Sequence, residues 1–316
     1  MPIRSFIAML LLAPLTLAQE TAPPLFAADT PIIDYQNPQL PDYGRIGMVV
    51  SPEKLAGEIG LDMLKQGGNA IDAAVATGFA LAVTLPRAGN LGGGGFMLVH
   101  LAESDEQIFI DYRETAPAAA SRDMFLNADG TVNKAKAYFS RQAAGVPGTV
   151  AGLIHAQTQY GKLPLATVIQ PAIDLAEQGF DTPLALHMSL TSRAERLAMD
   201  PEAKRIYLQG TANAPAPGAL FKQPDLARTL QRIRDKGHDG FYGGETAGLI
   251  AADMAANDGL ITTDDLASYR ALERSPVRGT FKEFEIVSVA PPSSGGVHVL
   301  QMLNLLEPYP LQSYGH

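Results

Sequence analysis

The reading of this chain turns on Pro86-Arg87-Ala88-Gly89-Asn90-Leu91-Gly92-Gly93-Gly94-Gly95-Phe96-Met97-Leu98-Val99-His100. After a break at Glu103 to Glu106 comes Gln107-Ile108-Phe109-Ile110-Asp111-Tyr112-Arg113-Glu114-Thr115-Ala116-Pro117. Phe96 to Leu101 and Ile108 to Tyr112 read as short strands, rich in aromatic and branched apolar residues and bounded by glycine or charge. Four consecutive glycines before a strand permit φ > 0 and close approach of backbones. The second strand delivers Arg113 to an edge, where a planar guanidinium can fork onto a carboxylate through two parallel hydrogen bonds. The competing reading is an ion pair of Arg113 with Asp111 or Glu114, and the residues alone favour it.

The glycine run could also cradle phosphate, but the required contexts are missing. A Walker loop needs Lys-Ser/Thr after its last glycine, and Phe96-Met97 stand there. A dinucleotide fingerprint needs a helix to follow, and a strand follows instead. A tight loop packed under neighbouring backbone is the better reading.

Upstream, Ile46 to Val50 reads as a first strand. Ser51 and Pro52 read as N-cap and N1 of a helix carrying Leu55, Ile59 and Met63 on one face, and Gly67-Gly68 stops it. A second helix from Asn69 to Pro86 is small and apolar on nearly every side, which predicts deep burial. Downstream, Gly145 to Thr149 turns into a helix. Further helices are expected over Leu165 to Glu177, Leu184 to Leu197, Pro224 to Lys236 and Thr246 to Ala256. Thr263 reads as the cap of a short acidic-started helix. Val277 to Phe281 and Phe284 to Val289 read as a strand pair, and Val297 to Leu306 as a last helix. Strands in pairs and helices in runs give an α+β fold with a helical layer on a sheet, not a doubly wound one.

With 316 residues, 46% apolar and 18% charged, the chain can bury a substantial core. A net charge of −9 argues against nucleic acid as a partner. There is no cysteine, so disulfides, thiolate metal sites and a cysteine nucleophile are excluded. None of the six histidines forms a metal-binding pair, and no metal or cofactor is expected. Thr262-Thr263 and Ser293-Ser294 are candidate nucleophiles on residue type only. The first pair reads as a helix cap, and no His–Asp partner can be assigned to the serines. Arg4 followed by apolar Phe6 to Leu17 resembles a cleaved export signal over 1–18, with cleavage as late as 28 as the alternative. Residues 19–45 form a Pro-rich arm, and residues 46–316 the body.

Taken in order, several motifs resemble the γ-glutamyltransferase (γ-glutamyl transpeptidase) family of the bacterial exported type. They are Gly67-Gly68-Asn69-Ala70-Ile71-Asp72-Ala73-Ala74-Val75-Ala76, Ala88 to Met97, Arg113-Glu114-Thr115-Ala116-Pro117, and Gly145-Val146-Pro147-Gly148-Thr149-Val150-Ala151-Gly152. Gly259-Leu260-Ile261-Thr262 with Asp265-Leu266, and Pro291-Pro292-Ser293-Ser294-Gly295-Gly296, complete the set. The resemblance implies the N-terminal nucleophile hydrolase fold, an αββα four-layer sandwich, and a proenzyme that cuts itself into large and small subunits. The small subunit's N-terminal threonine would attack a γ-glutamyl amide such as glutathione, then pass the acyl group to water, an amino acid or a dipeptide. Arg113 would hold the α-carboxylate of the glutamyl group. All 316 residues resemble the large subunit, incomplete at its C-terminus. The threonine and the small subunit from the same precursor are expected beyond residue 316, and this stretch alone is expected to be inactive. The export signal implies a periplasmic protein without a membrane span after cleavage. Two alternatives remain: a related cephalosporin or glutaryl acylase, and a non-catalytic binding protein.

Overall fold

The structure, a computed structural model, describes residues 41–314. The export signal and nearly all of the Pro-rich arm therefore lie outside the described residues. From Arg45 onward the chain forms one compact unit.

Helix α1 (Lys54–Lys65) is capped by Glu53, whose carboxylate accepts from the Ala56 N–H. The expected cap, Ser51, lies two residues earlier and instead accepts from the Glu53 N–H. A longer acidic side chain there reaches the first turn and complements its dipole. The preceding Ile46 to Val50 segment is not a strand: no strand lies beside it among the described residues, and a ladder needs a partner. Ile46 and Val50 are exposed, while Val49 packs on the core.

Gly67 ends α1 at φ +90°, a left-handed conformation that costs glycine little. Asn69 then caps α2 (Ala70–Thr84), and Asp72 completes a reciprocal capping box. The helix is apolar all round, and Val75, Ala76, Phe79, Ala80 and Val83 are fully buried. Such a helix needs neighbours on several sides. It packs against α1, against α4 (Thr149–Tyr160) and against α5 (Leu165–Gln178), which in turn carries α9 (Pro224–Lys236). The Asp72 carboxylate is wholly buried and binds this layer together. It accepts from the N–H groups of Asn69 (2.7 Å), Lys162 and Leu163 (3.0 Å), and from Gln157 Nε2 (2.6 Å) on α4. Burial pushes its pKa up, but the hydrogen bonds from Gln157, Leu163, Asn69 and Lys162 outweigh that and hold it below the ordinary value.

Strands β1 (Gly95–Leu101) and β2 (Glu106–Tyr112) pair antiparallel, Gly95 opposite Tyr112 and Leu98 opposite Phe109. The unforeseen β5 (Leu272–Arg274) adds to the other side of β2, Asp111 opposite Leu272 and Phe109 opposite Arg274. Thus β2 is the centre of a three-stranded sheet, and Ile108 to Asp111 are buried. Helix α4 packs across β1 and β2.

The middle of the chain is more finely divided than its pattern suggests. Short α3 (Lys134–Phe139), α8 (Pro201–Tyr207) and α10 (Asp239–Tyr242) lack enough apolar periodicity to stand out. The expected helix over Leu184 to Leu197 breaks at Ser192-Arg193 into α6 (Leu184–Thr191) and α7 (Ala194–Leu197). Two-residue strands β3 (Phe180–Asp181) and β4 (Leu220–Phe221) bracket that region. Helices α11 (Gly244–Ala256) and α12 (Thr263–Ser268) follow. The cap of α12 is Thr262, one residue before the expected Thr263, because Thr262 and Asp265 close a second capping box. The hairpin of β6 (Val277–Phe281) and β7 (Phe284–Ser288) leads to α13 (Gly295–Leu306). The architecture is α+β.

Candidate functional site

Tyr112 is the last residue of β2, and glycines surround it. A Cβ on Gly94 would lie 2.5 Å from the Tyr112 carbonyl oxygen, and one on Gly95 2.8 Å from its ring. A side chain on Gly148 would overlap the same carbonyl, and one on Gly152 would overlap the ring. The Gly93 carbonyl accepts from the N–H groups of Gly148 (2.7 Å) and Thr149 (3.0 Å). The glycine loop and the Gly145 to Gly152 motif are therefore two walls of one slot that holds the end of β2. None of Gly92 to Gly95 has positive φ, so at Gly94 and Gly95 close approach, not the left-handed conformation, is what requires glycine.

Arg113 follows directly, and its backbone is held on both sides. Its N–H donates to Asp111 Oδ1 (3.0 Å), and its carbonyl accepts from the Tyr269 hydroxyl (2.8 Å). Tyr269 is buried and stacks on Tyr242 at 5.6 Å and 8°, and Tyr242 stacks in turn on His238 at 4.4 Å. Burial, and then the charges of Asp111 and Glu114, push the Tyr269 pKa up, so its proton stays available to the Arg113 carbonyl. Tyr242 reaches the other wall: its hydroxyl donates to the Pro147 carbonyl (2.8 Å).

The Arg113 side chain is 54% exposed. Of the two expected ion-pair partners, Glu114 is met, with Nε 3.4 Å from Oε2. Asp111 is not a side-chain partner. Its buried carboxylate is taken by Arg274 of β5, with Nε donating to Oδ2 at 2.7 Å. A half-exposed pair at 3.4 Å is worth about 0–1 kcal/mol, so an incoming carboxylate can displace it at little cost. Phe96 lies beneath the guanidinium at 5.8 Å. Arg113, Glu114, Tyr269, Arg270, Arg274 and Pro292 line a cavity of about 390 Å³.

The loop beyond Arg113 is pinned from α12. Asp265 Oδ1 accepts from the Ala118 N–H (2.8 Å), while Oδ2 accepts from the N–H (2.9 Å) and hydroxyl (2.7 Å) of Thr262. That arrangement makes Thr262 a cap and removes it as a nucleophile candidate. Ser293 Oγ accepts from the Gly295 N–H at the start of α13, a structural turn. Among the described residues no group of His, Asp or Glu has the arrangement of a metal site. No helix among them is long and apolar enough to cross a membrane.

Arg274, Tyr269 and Arg270 were not singled out from sequence. The motif Gly259 to Leu266 stops just before Tyr269, and three residues of β5 carry no alternation. The only available signal was Asp111, an acid in a buried strand that had to find a cation.

A family model described as gamma-glutamyltranspeptidase matches residues 56–316. The glutathione hydrolase proenzyme of Escherichia coli (strain K12) is 45% identical over 269 residues, 85% of this chain and 46% of that protein. Acylase ACY 1 proenzyme of Pseudomonas sp. (strain SE83) is 40% identical over 290 residues, 90% of this chain and 52% of that protein. Among solved structures, the Helicobacter pylori gamma-glutamyltranspeptidase is similar with a TM-score of 0.85 at 44% identity, covering 88% of this chain and 79% of that one. The chain spans about half the length of the relatives it matches.

Proposed function

The chain belongs to the gamma-glutamyltranspeptidase family, and from that premise we propose that it supplies the glutamyl-binding part of a glutathione hydrolase/γ-glutamyltransferase. The reaction is cleavage of a γ-glutamyl amide, such as that of glutathione, through a γ-glutamyl-enzyme intermediate. Water, an amino acid or a dipeptide accepts the acyl group. Arg113 holds the α-carboxylate of the glutamyl group. The observation that carries this role is an arginine with a fixed backbone, a half-exposed guanidinium and only a weak partner at the wall of a cavity. A bidentate carboxylate replaces the Glu114 contact with two charge-assisted hydrogen bonds and sets the register of the scissile amide.

The proposed reaction takes its attacking threonine from a small subunit, and the relatives it is drawn from are about twice the length this chain spans. The proenzyme names of the relatives support a small subunit cut from the same precursor. The export signal read over 1–18 supports a periplasmic location. No cofactor is required for this chemistry: the nucleophile's own α-amino group serves as base.

The experiment is to express the complete reading frame and measure amine release from γ-glutamyl and glutaryl anilides. Preference for the γ-glutamyl donor supports the proposal. Cleavage of the glutaryl donor alone favours the acylase reading, which the likeness to acylase ACY 1 motivates. Cleavage of neither donor refutes both and leaves a non-catalytic binding protein.

A further inference from the structure

Three arginines line the cavity at the end of β2, and they are not equivalent. Arg274 is committed to Asp111 and Arg113 touches Glu114. Arg270 has no carboxylate partner among the described residues. Its Nη1 donates to the carbonyls of Ala267 (2.8 Å) and Tyr269 (2.7 Å) at the end of α12. Those two bonds use one corner of the guanidinium and fix its position, while the Nε and Nη2 edge makes no hydrogen bond among the described residues. Asp111 and Glu114, the acids of this cavity, are already paired, so Arg270 leaves a net positive charge on its wall. A fixed cation with a free edge is a carboxylate or phosphate receptor.

We propose that Arg270 is a second carboxylate receptor of the same cavity, selecting γ-glutamyl donors whose leaving amine carries its own carboxylate. The inference rests on the function proposed above and deepens it. With the α-carboxylate on Arg113, a γ-glutamyl peptide presents a second carboxylate at its far end, roughly 10 Å away at about 3.4 Å per residue. The cavity, about 390 Å³, falls within the ~300–1,000 Å³ of small-molecule sites. Arg270 would then distinguish peptide donors from donors with neutral leaving amines by a contact far from the reacting bond.

The test is a double cycle in the complete protein. The donors are glutathione and its C-terminal amide, which differ only in that second carboxylate. The variants are Arg270→Gln and Arg270→Lys. In the unaltered protein, KM is expected to be roughly tenfold higher for the amide, the loss of one charge-assisted hydrogen bond. Arg270→Gln raises KM for glutathione by a similar factor and leaves the amide unchanged, with kcat little altered on either. Arg270→Lys restores most of the discrimination, since the charge remains. Two results overturn the inference: equal KM values for the two donors in the unaltered protein, or an Arg270→Gln effect of the same size on both. The latter would mean that Arg270 serves only to close the end of α12. If the unaltered protein cleaves neither glutathione nor a γ-glutamyl anilide, the proposed function fails first and this inference with it.

Discussion

Replacing Asp72 by asparagine tests whether the helical layer is organised as described. The carboxylate takes four protein donors, one of them shared between its two oxygens. Oδ1 serves Gln157 Nε2, the Leu163 N–H and the Lys162 N–H, and Oδ2 serves the Asn69 N–H and shares Lys162. An amide group must turn its NH₂ toward one of these sets. The better choice faces Asn69 and loses one charge-assisted bond, leaving two buried donors nose to nose. Flipping Gln157 offers no escape, because its Oε1 would then meet the Leu163 carbonyl, to which Nε2 now donates at 2.7 Å. A bond to a charged group is worth about 1.5–3 kcal/mol, and a buried unsatisfied donor costs ~1–3 kcal/mol. A loss of roughly 3 kcal/mol follows, which lowers Tm by roughly 6–12 °C at about 2–4 °C per kcal/mol. The pH dependence has a definite sign. The folded-state pKa is depressed, so the carboxylate's stabilisation is present above the unfolded pKa and lost as pH falls through the folded one. The gap between the two proteins should therefore be widest above about pH 4 and narrow below it. Thermal unfolding monitored from pH 7 to pH 3 measures both. A Tm drop of less than about 2 °C at pH 7, or a gap that widens in acid, would refute the reasoning.

In the complete protein, Arg113→Lys keeps the charge but loses the fork, and KM for γ-glutamyl donors should rise roughly 10- to 100-fold with kcat less affected; steady-state kinetics showing an unchanged KM would remove Arg113 from the site. Tyr269→Phe deletes the bond to the Arg113 carbonyl while keeping the stack on Tyr242, so KM should rise about 2- to 10-fold, the worth of one buried hydrogen bond. Arg274→Ala leaves Asp111 buried without its cation and free to capture Arg113, which should raise KM and lower Tm together. Adding Asp111→Asn to Arg274→Ala should recover much of the KM, and a double variant no better than the single would sink the idea that Asp111 competes for Arg113.

Where local chemistry was decisive, the sequence was sufficient. Asn69 with Asp72, the Ala-rich helix behind them and the apolar runs around Gln107 carry their own caps and periods, and α2, β1 and β2 follow. The errors came where a partner decides. Ile46 to Val50 has the composition of a strand but no neighbour among the described residues, whereas Leu272 to Arg274 has no strand pattern and is one because β2 offers an open edge. The four glycines were legible as a constraint but not as the right one: their φ values are ordinary, and what Gly94 and Gly95 permit is the approach of Tyr112, a residue 17 to 18 positions away. Arg113 could be suspected from residue type and motif. Its release from Asp111 could not, because that depends on Arg274, whose side chain reaches Asp111 only once β5 has paired with β2.

That release explains why an arginine flanked by two acids can still serve a ligand. An isolated Asp-x-Arg-Glu segment would pair internally, and the guanidinium would spend its donors locally. Here the fold separates the roles. Arg274 neutralises Asp111, which leaves the buried acid able to hold the Arg113 N–H without drawing in its side chain. Tyr269 fixes the carbonyl on the other side. The backbone at Arg113 is thus ordered during folding, so binding need not spend free energy to order it, and only side-chain rotamer freedom, at most about 2 kcal/mol, remains to be lost when a carboxylate arrives. Glu114 offsets part even of that, because its weak contact already biases the guanidinium toward the cavity wall without competing strongly for it. A stronger partner would close the site, and none at all would leave the side chain to wander. The pair at 3.4 Å lies between these limits, which suits the exchange of one carboxylate for another that the proposed role of Arg113 requires.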